Sequence, residues 1–309
     1  MIPITIRQLQ YFVAIYEEAS FSKAAAREHS SQPALSAQIH NLEEILAHSL
    51  FERSVSGVTP TAAGLRFYRH AVAILRSVNA ATLEMAEASG QIAGRVQVGL
   101  IPTVVRGLLA AFLPQFVATY PMVDIKLIQG FSDPLARAVL DQEVDFAVVL
   151  EPPKHEGIEI TKLADDTMVL ISSPSLGLAP GVPVRMADLP PLKLVVPSPN
   201  HILRHNIERR IWTKEINVAR ILEMDTVHGM IDFVANSDWA TVLPFTAVLC
   251  DAGSERLRIN PISQPDLEAN LFLIHLTRRP LSQAARALIE ELKRQAALQR
   301  LAHPRALLG

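Results

Sequence analysis

Ser31, Gln32, Pro33, Ala34, Ser36 and Gln38 crowd one short stretch, and they carry the groups that read the edge of a base pair. A helix fits the major groove of DNA with its first side chains reaching the bases. Gln32 can pair with adenine through two hydrogen bonds, and Ser36 donates or accepts. Pro33 and Ala34 offer small apolar surface to a thymine methyl. Further on, Arg53 is placed to meet phosphate or a narrow minor groove, and the Thr61 hydroxyl could reach a phosphate. Each also has an ordinary explanation: Ser31 as a helix cap, Gln32 and Gln38 as solvated side chains. Residue by residue, both readings stay open.

A second group of polar residues opens helices later in the chain: Thr103, Ser132, the trio Ser198, Asn200 and His201, and the pair Val227 and His228. Helix N-termini present unpaired N–H groups and partial positive charge, so a small carboxylate is a natural guest. Plain N-capping is the competing account. Phe245 and Pro102 are candidate apolar wall. His201 and His205 stand four apart, a spacing that could hold a metal, but no third ligand is evident. Arg204, Arg209 and Arg210 add charge nearby, as an anion attractor or as a solvated face.

These residues need elements to hold them. Thr5 with Gln8 forms a capping-box pattern ahead of Leu9, Phe12, Val13 and Tyr16 at helical spacing. Ser20 or Ser22 caps a second helix carrying Ala24, Ala25 and Ala26. A third, opened by Ser31 with Pro33 in its first turn, buries Leu35, Ile39, Leu42 and Leu46. Residues 51–60 read as an irregular hairpin. Thr59-Pro60 then predicts the start of a long helix running to about Ala88, with Phe67, Ala71, Ile74, Val78, Ala81 and Met85 as a heptad seam for a partner chain. After Gly90–Gly94 the pattern changes to alternating strands and helices, predicting an α/β fold with mostly parallel sheet, in two sheets of about five strands. The strands fall at 96–100, 125–129, 145–150, 167–172, 192–196, 220–224, 240–243 and 271–276. Helices start at Thr103, Ser132, Asn200 and Thr226, and a last one spans 282–299.

Composition sets limits. The 309 residues are 49% apolar and 19% charged, enough for substantial cores and too apolar for disorder. No apolar run approaches the ~20 residues of a membrane span, and the first residues lack a secretory pattern. Cys250 is the single cysteine, so no internal disulfide framework exists, which fits a reducing cytoplasm. No G-x-S-x-G elbow, H-E-x-x-H pair or phosphate loop is present, and the reading is therefore not an enzyme. Deleting residues 1–90 separates a regulator from a plain cytoplasmic binding protein. The net charge is −2, and the first 90 residues carry no basic surplus, unusual for a DNA-binding segment.

The chain resembles the LysR-type transcriptional regulators. The resemblance rests on Ala24-Ala25, Ser31-Gln32-Pro33-Ala34-Leu35-Ser36, Gln38-Ile39 and Leu42-Glu43, then Leu50-Phe51-Glu52-Arg53 and Thr61-Ala62-Ala63-Gly64. It continues more weakly through Val98-Gly99, Tyr120-Pro121, Asp145-Phe146-Ala147 and Leu243-Pro244. Within the family the regulators of nitrogen assimilation look most similar. The resemblance implies an N-terminal all-α winged helix-turn-helix (1–60), a dimerising linker helix (61–89), and a periplasmic-binding-protein-like α/β domain of two lobes (90–309). Lobe I would hold about 95–162 and 268–309, lobe II about 163–267. It further implies a small organic-acid effector in the interlobe cleft and no other cofactor. Expected partners are double-stranded promoter DNA and a dimer of dimers, with RNA polymerase as a further candidate and no membrane. Two departures matter: Ala37 stands where many relatives carry a basic residue, and the wing reads Ser54-Val55-Ser56-Gly57. Each lost phosphate contact flattens the salt dependence of DNA binding by roughly one counterion, so a mobility-shift series against salt should give a shallow slope.

Overall fold

The computed structural model describes residues 4–54, 57–86, 92–152, 155–199, 201–265, 267 and 269–302. Contacts divide the chain into two units, Met1–Gln91 and Ile92–Gly309.

In the first unit, α1 (Ile6–Glu18) starts at the complete Thr5/Gln8 capping box. α2 (Phe21–Arg27) is capped by Ser20, and α3 (Gln32–Leu46) by Ser31, whose hydroxyl accepts from the Ala34 N–H at 3.3 Å. Phe12 is wholly buried at the centre, 5.2 Å from the Phe51 ring and 5.0 Å from Phe67. β1 (Phe51–Ser54) and β2 (Gly57–Pro60) pair antiparallel as the hairpin wing.

The long helix α4 (Ala62–Ala86) begins later than its sequence suggests. Thr59 and Pro60 belong to β2, and Thr61 is the residue that caps, accepting from the Gly64 N–H at 3.0 Å while donating to the Ser49 carbonyl at 2.7 Å. A Cβ on Gly64 would sit 2.2 Å from the Leu50 carbonyl oxygen, so the Thr61–Gly64 motif is a close seat for the helix on the preceding segment. Glu43 serves the same junction, accepting from the N–H groups of Leu50 (2.7 Å) and Phe51 (3.3 Å).

In the second unit, β3 (Gly94–Leu100) is central to one sheet. α5 (Pro102–Val104) passes through a π turn (Val105–Leu109) into α6 (Ala110–Thr119). Then come β4 (Val123–Gln129), α7 (Ser132–Leu140), β5 (Phe146–Val149) and β6 (Ile158–Ala164). The chain crosses to a second sheet with β7 (Met168–Ser172), β8 (Val184–Arg185), β9 (Leu192–Val196), α8 (Ile202–Trp212), β10 (Val218–Glu223), α9 (Val227–Ala235), β11 (Ala240–Pro244) and β12 (Arg258–Gln264). β13 (Leu271–Leu276) and α10 (Gln283–Ala302) return to the first. The sheet orders are β4-β3-β5-β13-β6 and β10-β9-β11-β7-β12-β8.

Parallel pairing predominates in these two sheets, as expected, but narrowly: among the described residues five strand pairs are parallel and four antiparallel. β3, β4 and β5 run parallel, as do β9, β10 and β11, but β13 lies antiparallel to β5 and β6, and β7 antiparallel to β11 and β12. The returning strands are what let one chain build two lobes and cross between them twice. The segment Pro102–Thr119 has the length and hydropathy of a membrane span, yet Val104, Leu108, Phe112 and Phe116 on it are core residues of this unit.

Asp166 sits in one crossing. It is 4% exposed, and its carboxylate accepts from the N–H groups of Thr167 (2.8 Å) and Thr246 (3.2 Å) and from the Thr246 hydroxyl. Its own carbonyl receives Ala269 N–H from the other crossing at 3.1 Å. Burial outweighs these bonds and pushes the carboxyl pKa up to about 6. The folded protein thus holds this proton more tightly than the unfolded chain does. The resulting stability is full below about pH 4 and is lost as pH rises through about 6, about 3 kcal/mol in all. Thermal melts of Asp166→Asn against wild type should therefore show a difference in stability that changes between pH 4 and 6 and is flat above. A pH-independent difference would show that the carboxyl does not titrate there.

Candidate functional site

Two surfaces gather the sequence candidates. On α3 the residues Ser31, Gln32, Pro33 and Ala34 are exposed, Ser36 and Gln38 half-buried, while Leu35, Ile39 and Leu42 turn inward. The helix therefore presents its first turn outward, as groove reading requires. Gln32 is held in advance: its Oε1 accepts from the Ser22 hydroxyl at 2.8 Å, which leaves the amide N–H groups and one lone pair for a base. Arg53 lies in β1 opposite Val58; its side chain is outside the described residues. The Thr61 expectation is corrected, because its single hydroxyl hydrogen goes to Ser49 and none is left for a phosphate. Two further cations have inward duties. Arg27 meets Glu17 at 2.7 Å and Glu18 at 3.5 Å, and Arg7 donates to the Tyr11 hydroxyl at 2.8 Å.

The heptad seam also divides. Ala71 is wholly buried in its own unit and Phe67 packs on Phe12, so these two stabilise the reading head from within. They do not supply an exposed seam. Ile74 (45% exposed), Val78 (40%) and Ala81 lie outward. The Met85 side chain is outside the described residues.

In the second unit a cavity of about 550 Å³ opens between the two sheets. It lies at the carboxyl ends of the parallel strands, where the chain turns from strand to helix and polar groups converge. From the first lobe come Ile101–Thr103 after β3, Phe131–Pro134 after β4, and Leu150–Pro152 after β5. The second lobe supplies Pro197 after β9, His201, Leu203 and His205 on α8, Met224 and Asp225 after β10, Val227 and Met230 on α9, and Leu243.

Thr103, Ser132 and His201 thus meet in one cavity, as does Pro102. Thr103 is 4% exposed and its Oγ1 has no hydrogen-bond partner. Ser132 is the first residue of α7 and not its cap; its hydroxyl accepts from the Leu150 N–H at 3.3 Å. His201 caps α8, with Nδ1 accepting from the Leu203 N–H at 3.1 Å, so Nε2 carries the proton of the neutral ring. Burial lowers its pKa, against a smaller opposing pull from Asp225. Its ring meets Phe131 of the other lobe edge-on, centroids 4.8 Å apart.

Three other expected contacts do not line this cavity. Ser198 is not on the cavity wall; its N–H donates to Asp225 at 2.8 Å. His228 is exposed, and Val227 takes the inward position. Phe245 is 2% exposed in the core behind the wall. Asn200 lies outside the described residues. Arg204 is no free attractor of anions: it is buried, bonded to Glu208 (2.7 Å), Glu223 (3.1 Å) and the Pro197 carbonyl (3.0 Å). Arg210 is engaged by Glu215. No group of three metal-ligating side chains occurs among the described residues. Sequence reading missed Phe131, Asp133, Glu151 and Asp225. Asp133 reads as an ordinary acidic residue of a helix first turn, and the other three lie in turns that carry no local signal.

A helical reading head with a hairpin wing, joined to a two-lobed unit with a cavity at its strand ends, defines a ligand-responsive DNA-binding protein. Comparison with known proteins agrees. Residues 6–65 match the bacterial regulatory helix-turn-helix protein model of the lysR family, and residues 89–297 the LysR substrate binding domain. The chain belongs to the LysR family of DNA-binding transcription regulators. Among curated relatives, the nitrogen assimilation regulatory protein nac of Escherichia coli K12 is 28% identical over 288 residues, 93% of each chain. The dual regulator OxyR of the same organism is 29% identical over 294 residues, 94% of this chain and 95% of the relative. Among solved structures, a full-length OxyR variant from Pseudomonas aeruginosa aligns with a TM-score of 0.71 at 23% identity, covering 96% of this chain and 95% of that one. CbnR in complex with its target DNA aligns at 0.65 and 22%, covering 95% and 100%. At such identities these two show the shared fold.

Proposed function

We propose that the interlobe cavity is the effector site and that its occupancy controls how the reading heads engage promoter DNA. The observation that supports this reading is Thr103: a buried hydroxyl without a partner costs about 1–3 kcal/mol, and it stands on the wall of the cavity. The oxygen itself is sealed from solvent, so a ligand relieves this cost through the lobe movement that uncovers it. Residues 1–60 serve as the DNA-reading head, 61–89 as the linker and 90–309 as the sensor. Ile74, Val78 and Ala81 pair with a second copy along the linker, and the working form is a dimer of dimers in the cytoplasm. Ser31, Gln32, Pro33, Ala34, Ser36 and Gln38 face bases, and Arg53 the backbone or minor groove. Effector binding changes lobe closure, which resets the spacing of the heads; a coupling of about 1–3 kcal/mol suffices.

A redox trigger is the alternative suggested by relatives named hydrogen peroxide-inducible genes activators. This sequence holds one cysteine, so no disulfide can close within a chain. Burial also pushes the Cys250 thiol up, away from the reactive thiolate.

Thr103→Val tests the proposal. Valine keeps the shape and removes the orphaned hydroxyl, so the ligand-free sensor should gain about 1 kcal/mol, or roughly 2–4 °C in melting temperature. A thermal-shift screen of organic and aromatic acids, amino acids among them, on wild type supplies hits. The variant should lose both their stabilisation and their effect on the DNase footprint. Hits that act equally on the variant would place the effector elsewhere.

A further inference from the structure

The cavity wall is chemically two-faced. Its floor is apolar, built by the buried side chains Ile101, Leu150, Leu203, Met230 and Leu243 with the unpartnered Thr103 hydroxyl among them. Three helices of nine or more residues, α7, α8 and α9, also turn their first residues toward it. The exposed mouth is acidic, carrying Asp133, Glu151 and Asp225. Asp225 is partly used by Ser198 N–H; none of the three makes an ion pair among the described residues. Among those residues the wall holds no lysine or arginine, only His201 and His205. Burial holds His201 toward its neutral form.

A bare organic anion could take the helix starts and Thr103 but would have to pass three carboxylates to do so. A ligand with a positive group at its outer end turns those carboxylates into partners. We infer that the cavity takes an amino-acid-type zwitterion with an apolar side chain, its carboxylate toward Thr103 and the helix N-termini and its ammonium among Asp133, Glu151 and Asp225. The inference rests on reading the cavity as the effector site and specifies what that site selects.

The test uses the full chain and two matched probe series at pH 7. One is L-phenylalanine, 3-phenylpropanoate and 2-phenylethylamine; the other is L-leucine, 4-methylpentanoate and 3-methylbutylamine. Affinities come from calorimetric titration, on wild type, Asp133→Asn/Glu151→Gln and Thr103→Val. The two acidic side chains are exposed, so their replacement leaves the fold intact. At least one amino acid should bind about tenfold or more tighter than either of its truncated analogues. The double variant should lose that preference over the des-amino acid, and Thr103→Val should weaken binding as a whole. If the des-amino acids bind as tightly as the amino acids, or the double variant keeps the preference, the zwitterion is wrong while the effector cavity stands. If no probe binds, or binding ignores Thr103→Val, both readings fall.

Discussion

Gly107→Ala should cost the sensor unit about 3 kcal/mol or more, although glycine to alanine inside a helix ordinarily stabilises by about 1 kcal/mol. The reversal of sign comes from one contact. A Cβ at Gly107 would stand 1.8 Å from the Thr246 carbonyl oxygen and 2.8 Å from its carbon, and both are backbone, which cannot swing away. Gly107 sits in the π turn between α5 and α6, facing the 3₁₀ helix Phe245–Asp251 of the other lobe. Arg106 fastens the same junction by donating to the Ala247 carbonyl and to Asp251 at 2.6 Å. Forcing the two apart also moves Thr103, four residues earlier. Melting should fall by roughly 6–12 °C for a unit of this size, and stabilisation by any effector hit should disappear with it. A variant as stable as wild type would mean that the two lobes meet less closely here than described.

Phe12→Ala should abolish DNA binding while leaving the sensor folded. Phe12 is wholly buried and its ring is shared by Phe51 of the wing and Phe67 of α4, so one side chain joins three elements of the reading head. Removing such a ring costs about 3–5 kcal/mol, against a total stability of roughly 5–10 kcal/mol for a unit of this length. In a mobility-shift assay the affinity should fall at least 100-fold. The melting of the sensor should stay within about 2 °C of wild type, provided its own core carries it. Retained DNA binding would show that the head is held by contacts other than the aromatic cluster.

The reading head was legible in the sequence because every element there announces itself locally. Thr5 with Gln8, Ser20 and Ser31 are caps whose side chains act within four residues, and the apolar spacing of α3 gives its inner face directly. Thr61 was misread for a physical reason: its hydroxyl is used by Ser49, a contact set by the hairpin and invisible in spacing. Phe67 and Ala71 follow the same logic, since a heptad pattern does not say which chain covers it. In the sensor, strands β3, β5, β7, β9 and β13 are apolar runs and were found. β6 alternates charged and apolar residues at a sheet edge, and β12 carries Pro261 near its middle. Both look like loops until their neighbours are known. The cavity was half legible: Thr103, Ser132 and His201 follow from strand-to-helix turns, whereas the acidic mouth arises only when three separate turns converge.

The edge-on approach of Phe131 to His201 gives the protein a built-in reporter. The imidazole belongs to one lobe and the ring that shields it to the other, so its carbon-bound proton resonances depend on the interlobe distance. With ten histidines in the chain, a His201→Asn spectrum suffices to assign the signal. Its displacement on titration would report a ligand in the cavity or movement of the lobes in unlabelled protein, separately from any change at the DNA.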